Sequence, residues 1–103
     1  MEKKILNIVE YATTSEKAIE AYLVKEVTKA GCLCLKYSNP NATGYPDRVV
    51  IEPNGIVQWV ELKSKGRRPS PIQQIRFDEL RSLGHEIFII DSREKVDAFI
   101  RQL

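Results

Sequence analysis

Asp47, Glu61 and Lys63 are the residues of this chain whose types and spacing could do chemistry. They flank the turn sequence "PNG" within "PDRVVIEPNGIVQWVELK", residues 46–63. A three-residue loop at 53–55 gives the predicted hairpin a register in which Asp47 pairs with Glu61. Directly paired residues have Cβ atoms roughly 5 Å apart. The two carboxylates are therefore expected side by side, with Lys63 on the same face of the strand.

Two like charges opposite each other destabilise a hairpin, and a divalent cation removes that repulsion. Mg²⁺ takes oxygen ligands and keeps several of its waters. The residues around Glu61 are apolar, so a buried charge there needs a partner. The pattern predicts a Mg²⁺ site at Asp47 and Glu61, for which Mn²⁺ is expected to substitute. The alternative is that Asp47 ends a loop while Glu61 and Lys63 form a solvated ion pair.

A third carboxylate is available near the start of the chain. Glu16 and Glu20 lie four residues apart in a predicted helix and therefore share one face of it. Either side chain reaches the metal if that face turns toward the hairpin. The spacing leaves the choice between Glu16 and Glu20 open.

Cap, turn and periodicity signals divide the chain into the element order α-β-β-β-α-β-α. The segments are "TSEKAIEAYLVKEVTKAG", "CLCLKYS", "DRVVIE", "GIVQWVELK", "SPIQQIRFDELRSLG", "HEIFIID" and "SREKVDAFIRQL". This order predicts an α/β fold, a small mixed sheet of about four strands with helices on both faces. The strands on either side of the second helix are expected to be parallel.

The second helix is predicted to begin after Ser70 and to place an apolar stripe of Ile72, Ile75, Leu80 and Leu83 against the sheet. His85 follows the Gly that ends this helix. We interpret His85 as a turn residue rather than a catalytic base.

Length and composition indicate one intracellular domain. The chain has 103 residues, 43% of them hydrophobic, and contains no run of 18 apolar residues and no signal-peptide pattern. A cytoplasmic protein without a membrane segment is therefore expected. Cys32 and Cys34 lie too close together on one predicted strand for an unstrained disulfide, and both are predicted to be buried free thiols rather than a disulfide or a metal site.

Basic residues follow the predicted site directly in "KSKGRR". Such a cluster is often no more than a solvated loop. Beside paired carboxylates it favours contact with nucleic acid, and we predict DNA backbone contacts from Arg48, Lys65, Arg67 and Arg68.

The motifs "GYPDR", "VELKSKG", "SPIQ" and "LRSLGHEIFIIDS", taken together, resemble a minimal member of the VRR-NUC family of the PD-(D/E)xK nuclease superfamily. The resemblance runs from about Glu16 to the C-terminus and implies a restriction-endonuclease-like fold for a single domain, 1–103. Residues 1–14 fall outside it as an N-terminal extension.

The resemblance also implies roles for particular residues. Asp47 and Glu61 bind the metal, and the backbone carbonyl of Leu62 adds a ligand. Lys63 contacts the attacking water or the scissile phosphate. Glu16 matches the glutamate of the family slightly better than Glu20 does.

Gln73 resembles the glutamine of the family's Q-x-x-W motif. Arg76 stands where some members have tryptophan, so this part of the pattern is irregular.

The function that the resemblance implies is a Mg²⁺-dependent endonuclease that acts on branched DNA. Small stand-alone members resemble Holliday-junction resolvases and are expected to be homodimers, which suits a four-way junction because two related sites can cut two strands. A phage or another mobile element is the expected source. The alternatives are a non-catalytic DNA-binding module with the same fold and a small protein-interaction domain.

Overall fold

The computed structural model describes residues 15–103, and in this range the helices and strands follow the predicted order. The elements are α1 (Glu16–Lys29), β1 (Leu33–Lys36), β2 (Arg48–Ile51), a 3₁₀ turn (Pro53–Gly55), β3 (Val57–Leu62), α2 (Pro71–Ser82), β4 (Ile87–Ile90) and α3 (Arg93–Arg101). The predicted extension at 1–14 lies outside the described residues.

The four strands form one mixed sheet in the order β1-β2-β3-β4. β1, β2 and β3 are antiparallel neighbours, whereas β3 and β4 are parallel, as predicted. Arg48 pairs with Val60 and Ile51 with Val57, which confirms the predicted hairpin register. Asn54 and Gly55 take φ values of 74° and 78°, a left-handed conformation that asparagine and glycine tolerate best.

One face of the sheet carries the core. Alternate strand residues point to this face and pack against α1 and α3. The buried residues of this core are Ile19, Leu23, Val27, Cys32, Val50, Val60, Leu62, Ile90, Val96 and Phe99.

Helix α2 contacts β4 and lies on the opposite face of the sheet, where its Gln73 reaches Glu61. Three of the four residues of the predicted apolar stripe are exposed, and Leu80 is half-buried. Ile75 and Leu83 are 54% and 78% exposed, and Ile72 is also exposed, whereas Phe77 is only 1% exposed. The inward side of the helix instead carries Phe77, with Gln73 and Leu80 half-buried beside it at helical spacing.

Helix α2 leaves an apolar surface exposed on β1 to β3, which we call the strand-face patch. Leu33, Ile51 and Val57 form one row across the three strands, and Leu35 lies on the same face next to Val49. Leu33 is 58% exposed and Leu35 is 46% exposed. Exposed apolar residues that adjoin one another often mark an interaction site.

Both cysteines are free thiols; Cys32 is buried as predicted, whereas Cys34 is only half-buried. His85 lies between α2 and β4, where its N–H donates to the Leu80 carbonyl at 3.0 Å, so the interpretation as a turn residue is confirmed. Within residues 15–103, no helix is long and apolar enough to cross a membrane.

Candidate active site

The hairpin register brings Asp47 and Glu61 side by side at one end of the sheet. The Asp47 backbone N–H donates to Glu61 Oε1 at 3.2 Å, and the Leu62 N–H donates to Asp47 Oδ2 at 3.0 Å. Each carboxylate is therefore fixed by the backbone of the opposite strand. The geometry that the sequence predicts for this pair is present.

Glu61 is the buried charged residue at the centre of the site, with an exposed fraction of 1%. Burial raises the pKa of Glu61 from an ordinary 4.5 to about 7, while the hydrogen bond from Lys63 lowers it and the charge of Asp47 raises it. Lys63 Nζ lies 2.9 Å from Glu61 Oε2. Desolvation outweighs this single ammonium partner, so further positive charge stabilises the ionised form of Glu61.

Gln73 connects the carboxylate, the lysine and the start of α2. Its Nε2 donates to Glu61 Oε2 at 2.7 Å, and its Oε1 accepts from Lys63 Nζ at 2.8 Å. The same Oε1 accepts from the Ser70 N–H at 2.9 Å, and the Ser70 hydroxyl caps the Gln73 N–H, which completes a capping box. The helix cap thus holds the Gln73 side chain where it contacts both charged groups.

The two candidate glutamates of α1 have different surroundings. Glu20 Oε2 forms an ion pair with Arg48 Nε at 3.0 Å. Glu16 lines a cavity of about 320 Å³ together with Lys63, Arg67 and others. Among residues 15–103, no group of three His, Cys, Asp or Glu side chains is close enough to hold a metal by itself. Glu16 is thus on the wall beside the Asp47 and Glu61 pair but does not join it.

The predicted DNA contacts fall into two groups. Lys65, Arg67 and Arg68 are exposed in the segment between β3 and α2, and Arg67 and Arg68 line the cavity next to Lys63. Arg48 instead has only 16% of its side chain exposed and is held by Glu20. The DNA contact predicted for Arg48 remains a prediction, and the ion pair argues against it because Glu20 already binds the guanidinium.

Sequence reasoning missed the way in which α2 holds the loop before Asp47. Arg76 Nε donates to the Thr43 carbonyl at 2.9 Å, and its guanidinium carbon lies 5.2 Å from the centre of the Tyr45 ring. Gly44 (φ 99°) passes so close to α2 that an added Cβ would lie 3.0 Å from the Ile72 carbonyl. The arginine at the irregular motif position was the available signal, because a guanidinium can donate to a carbonyl and stack on an aromatic ring at the same time.

Aromatic side chains continue from this loop across the sheet. The Tyr37 ring lies 6.0 Å from that of Tyr45 and 5.3 Å from that of Trp59, both edge to face. Trp59 also contacts His85 at 6.2 Å. Trp59 Nε1 is buried and has no hydrogen-bond partner within residues 15–103. Trp59 therefore acts as a packing residue under the site.

A mixed sheet with an Asp, Glu and Lys trio at the end of its hairpin is the arrangement that the PD-(D/E)xK pattern predicts. "Putative nuclease p44" from Acyrthosiphon pisum secondary endosymbiont phage 1 is 40% identical over 79 residues, which cover 77% of this chain and 85% of that protein. A solved structure titled "VRR_NUC domain" is similar with a TM-score of 0.79 and 30% identity, over 85% of this chain and 96% of that chain. No protein-family profile matches the chain. The chain belongs to the VRR-NUC family of nucleases.

Proposed function

We propose that this protein is a Mg²⁺-dependent endonuclease that hydrolyses phosphodiester bonds in DNA. The observation that carries the proposal is the buried Glu61, held between Asp47, Lys63 and Gln73 in a VRR-NUC fold. Burying an ionisable carboxylate beside a second one costs free energy, and a cation bound by both carboxylates offsets that cost.

The donor set fits Mg²⁺. Asp47 and Glu61 supply carboxylate oxygens, and Mg²⁺ is commonly held by one or two carboxylates with water at its remaining positions. We assign Asp47 and Glu61 as ligands, with the Leu62 carbonyl and Glu16 as further candidates. When bound, Mg²⁺ lowers the pKa of a coordinated water and polarises the phosphate.

The residues of the chain supply the remaining functions. Lys63, oriented by Gln73, stabilises negative charge that develops on the phosphate during attack. Lys65, Arg67 and Arg68 contact the DNA backbone without reading its sequence. Affinity for DNA is therefore expected to fall as the salt concentration rises.

Branched DNA is the substrate that we propose, with a four-way junction cut by a homodimer. The support is the resemblance to small junction-resolving nucleases, together with the strand-face patch, which offers an apolar surface to a second copy. Two-fold symmetry in the protein then matches two-fold symmetry in the junction.

Asp47→Asn tests the assignment of the metal ligands. The variant keeps the size of the side chain and removes its charge, so we expect DNA binding without cleavage of labelled junction in Mg²⁺. Full cleavage by Asp47→Asn would contradict the assignment. A panel of matched linear, nicked and four-way substrates tests the preference, and equal cutting of all three would remove the junction proposal.

A non-catalytic DNA-binding module is the second candidate, and the irregular position of Arg76 in the glutamine motif favours it. Such a module binds the same DNA but never cuts it in Mg²⁺ or Mn²⁺. Binding without cleavage by the unaltered chain would establish this second function in place of the first.

A further inference from the structure

The loop between β1 and β2 forms a small open cavity at the surface, near the candidate active site. Its volume is about 190 Å³, and residues 37–39 and 42–45 line it. Liquid water occupies about 30 Å³ per molecule, so the cavity holds the volume of roughly six waters. That is enough for one planar ring system.

The cavity is aromatic with polar groups at its wall. Two tyrosines, Tyr37 and Tyr45, belong to the lining, together with the polar residues Ser38, Asn39 and Thr43. Nucleobases stack on aromatic rings and form hydrogen bonds at their edges, so this lining suits an unpaired base.

The wall of the cavity is rigidly built by local hydrogen bonds. Asn39 Oδ1 accepts from the backbone N–H groups of Asn41 at 3.0 Å and Ala42 at 3.1 Å. Asn39 Nδ2 lies 3.3 Å from the Tyr37 hydroxyl, to which it donates. The contact of Arg76 with the Thr43 carbonyl fixes the other end of the loop. A site built in this way binds a ligand with little loss of loop entropy.

Two residues of the lining adjoin the backbone of Asp47. The Tyr37 N–H donates to the Asp47 carbonyl at 2.8 Å, and Tyr45 precedes Asp47 by only two residues. Tyr37 thus continues the β1–β2 pairing opposite Asp47, on the strand face that also carries Glu61.

We propose that this cavity, the base pocket, receives one unpaired nucleobase from the DNA strand that the enzyme cuts, next to the scissile phosphate. The inference rests on the proposed nuclease function and supplies a cause for its preference for branched DNA. A base in an intact duplex must be unstacked and unpaired before it can enter, which costs free energy, whereas a base at a branch point pays less of that cost.

The test measures coupling between one base and the pocket. A set of labelled four-way junctions is prepared, each with a single abasic nucleotide near the branch, and dissociation constants are measured by fluorescence anisotropy in EDTA. Ala42→Leu fills the pocket from a half-buried lining position, and Asn41→Ala is the control, because Asn41 is exposed on the same loop outside the lining. Thr43→Leu, also at the lining, replaces Ala42→Leu if that variant does not fold.

For each chain, the effect of an abasic nucleotide is the ratio of the dissociation constants with and without it. We expect this ratio to differ by about 5-fold or more between the unaltered chain and Ala42→Leu at one position of the junction. One lost base stack produces a change in this range. Asn41→Ala should behave as the unaltered chain does. Identical abasic profiles in all chains, with metal-dependent cleavage intact, would overturn the base pocket alone. If the unaltered chain neither binds nor cuts DNA, the nuclease proposal and the base pocket both fail.

Discussion

Glu61 is the side chain on which burial, an ion pair and a hydrogen bond act together. Its carboxylate has a strand on each side, a lysine 2.9 Å away and an amide at 2.7 Å, yet burial still raises its pKa to about 7. A proton and a metal ion therefore compete for the same oxygens near neutral pH. The competition can therefore be followed by measuring how the stability of the protein depends on pH and on Mg²⁺.

The metal-free protein should lose stability as the pH rises from about 5 to 8. The pKa of Glu61 is higher in the folded state than the 4.5 of an ordinary glutamate, so the folded state binds the proton more tightly. The stability that this proton contributes is fully present below pH 4.5 and is lost as the pH rises through about 7. Thermal melting in EDTA measures it.

Glu61→Gln should remove this part of the pH dependence, because its amide does not titrate. Mg²⁺ should raise the melting temperature of the unaltered chain more at pH 8 than at pH 5.5, since it binds the ionised form. The same pH slope in both chains would show that Glu61 is not the group responsible.

Gln73→Ala should lower the rate of cleavage by about 10-fold to 100-fold, since Lys63 and Glu61 both lose the contact that positions them. Ser70→Ala is the control, because it removes the hydroxyl that caps the helix while the backbone N–H of residue 70 still donates to Gln73 Oε1. It should cost about 1 kcal/mol of stability and little activity. Equal losses of activity in the two variants would assign Gln73 to the cap alone.

The β2–β3 hairpin and the second helix differ in how far the sequence predicts them. The hairpin register follows from Pro53, Asn54 and Gly55, because the length of a turn fixes which residues pair. Helix α2 begins after Ser70 as the cap signal indicates, but its inward side is not its most apolar side. Periodicity locates a helix and cannot anticipate which of its sides will face the sheet.

At the site, the sequence alone predicts the neighbouring positions of Asp47, Glu61 and Lys63 from strand parity. It does not distinguish Glu16 from Glu20, since the distinction depends on the position of Arg48 across the sheet. The base pocket depends on a loop whose shape is set by contacts with Arg76, far away in sequence. Long-range contacts of this kind leave no local pattern.

Gly44→Ala tests whether the loop before Asp47 needs its close approach to α2. The new Cβ would lie 3.0 Å from the Ile72 carbonyl, and the φ value of 99° is unfavourable for alanine. Gly55→Ala is the matched control, because its φ is 78° and an added Cβ meets nothing within 4 Å.

We expect Gly55→Ala to cost about 1 kcal/mol from its backbone alone. Gly44→Ala should cost a further 1–3 kcal/mol, about the cost of overpacking, and should also reduce cleavage because Asp47 moves. Chemical denaturation and cleavage rates measure the two effects. If both variants lose the same stability and keep full activity, the loop does not position Asp47.

At the scale of the whole molecule, the strand-face patch is the surface that we propose for contact with a second copy. The sheet has helices α1 and α3 on one face, and on the other face α2 leaves Leu33, Leu35 and Val57 exposed. A homodimer that buries this patch would remove apolar surface from water, and a stable interface of this kind covers about 800 Å² on each partner.

Leu35→Glu should convert the dimer to a monomer, because a buried pair of like charges at a two-fold interface is costly. Leu83→Glu is the control, since Leu83 is exposed directly after the end of α2 and lies outside the patch. Light scattering coupled to gel filtration measures the mass. A dimer that persists in Leu35→Glu would place the interface elsewhere, and a monomeric unaltered chain would remove the homodimer from the proposal.

The central claim is that Asp47, Glu61 and Lys63 form a metal-dependent nuclease site, and one measurement tests it most directly. Purified protein is incubated with an end-labelled four-way junction in Mg²⁺ or in EDTA, beside Lys63→Ala under the same conditions. We predict nicks in the junction that require both Mg²⁺ and Lys63, while Lys63→Ala still binds the DNA. Cleavage that persists in EDTA, or that Lys63→Ala performs at the full rate, would contradict the claim.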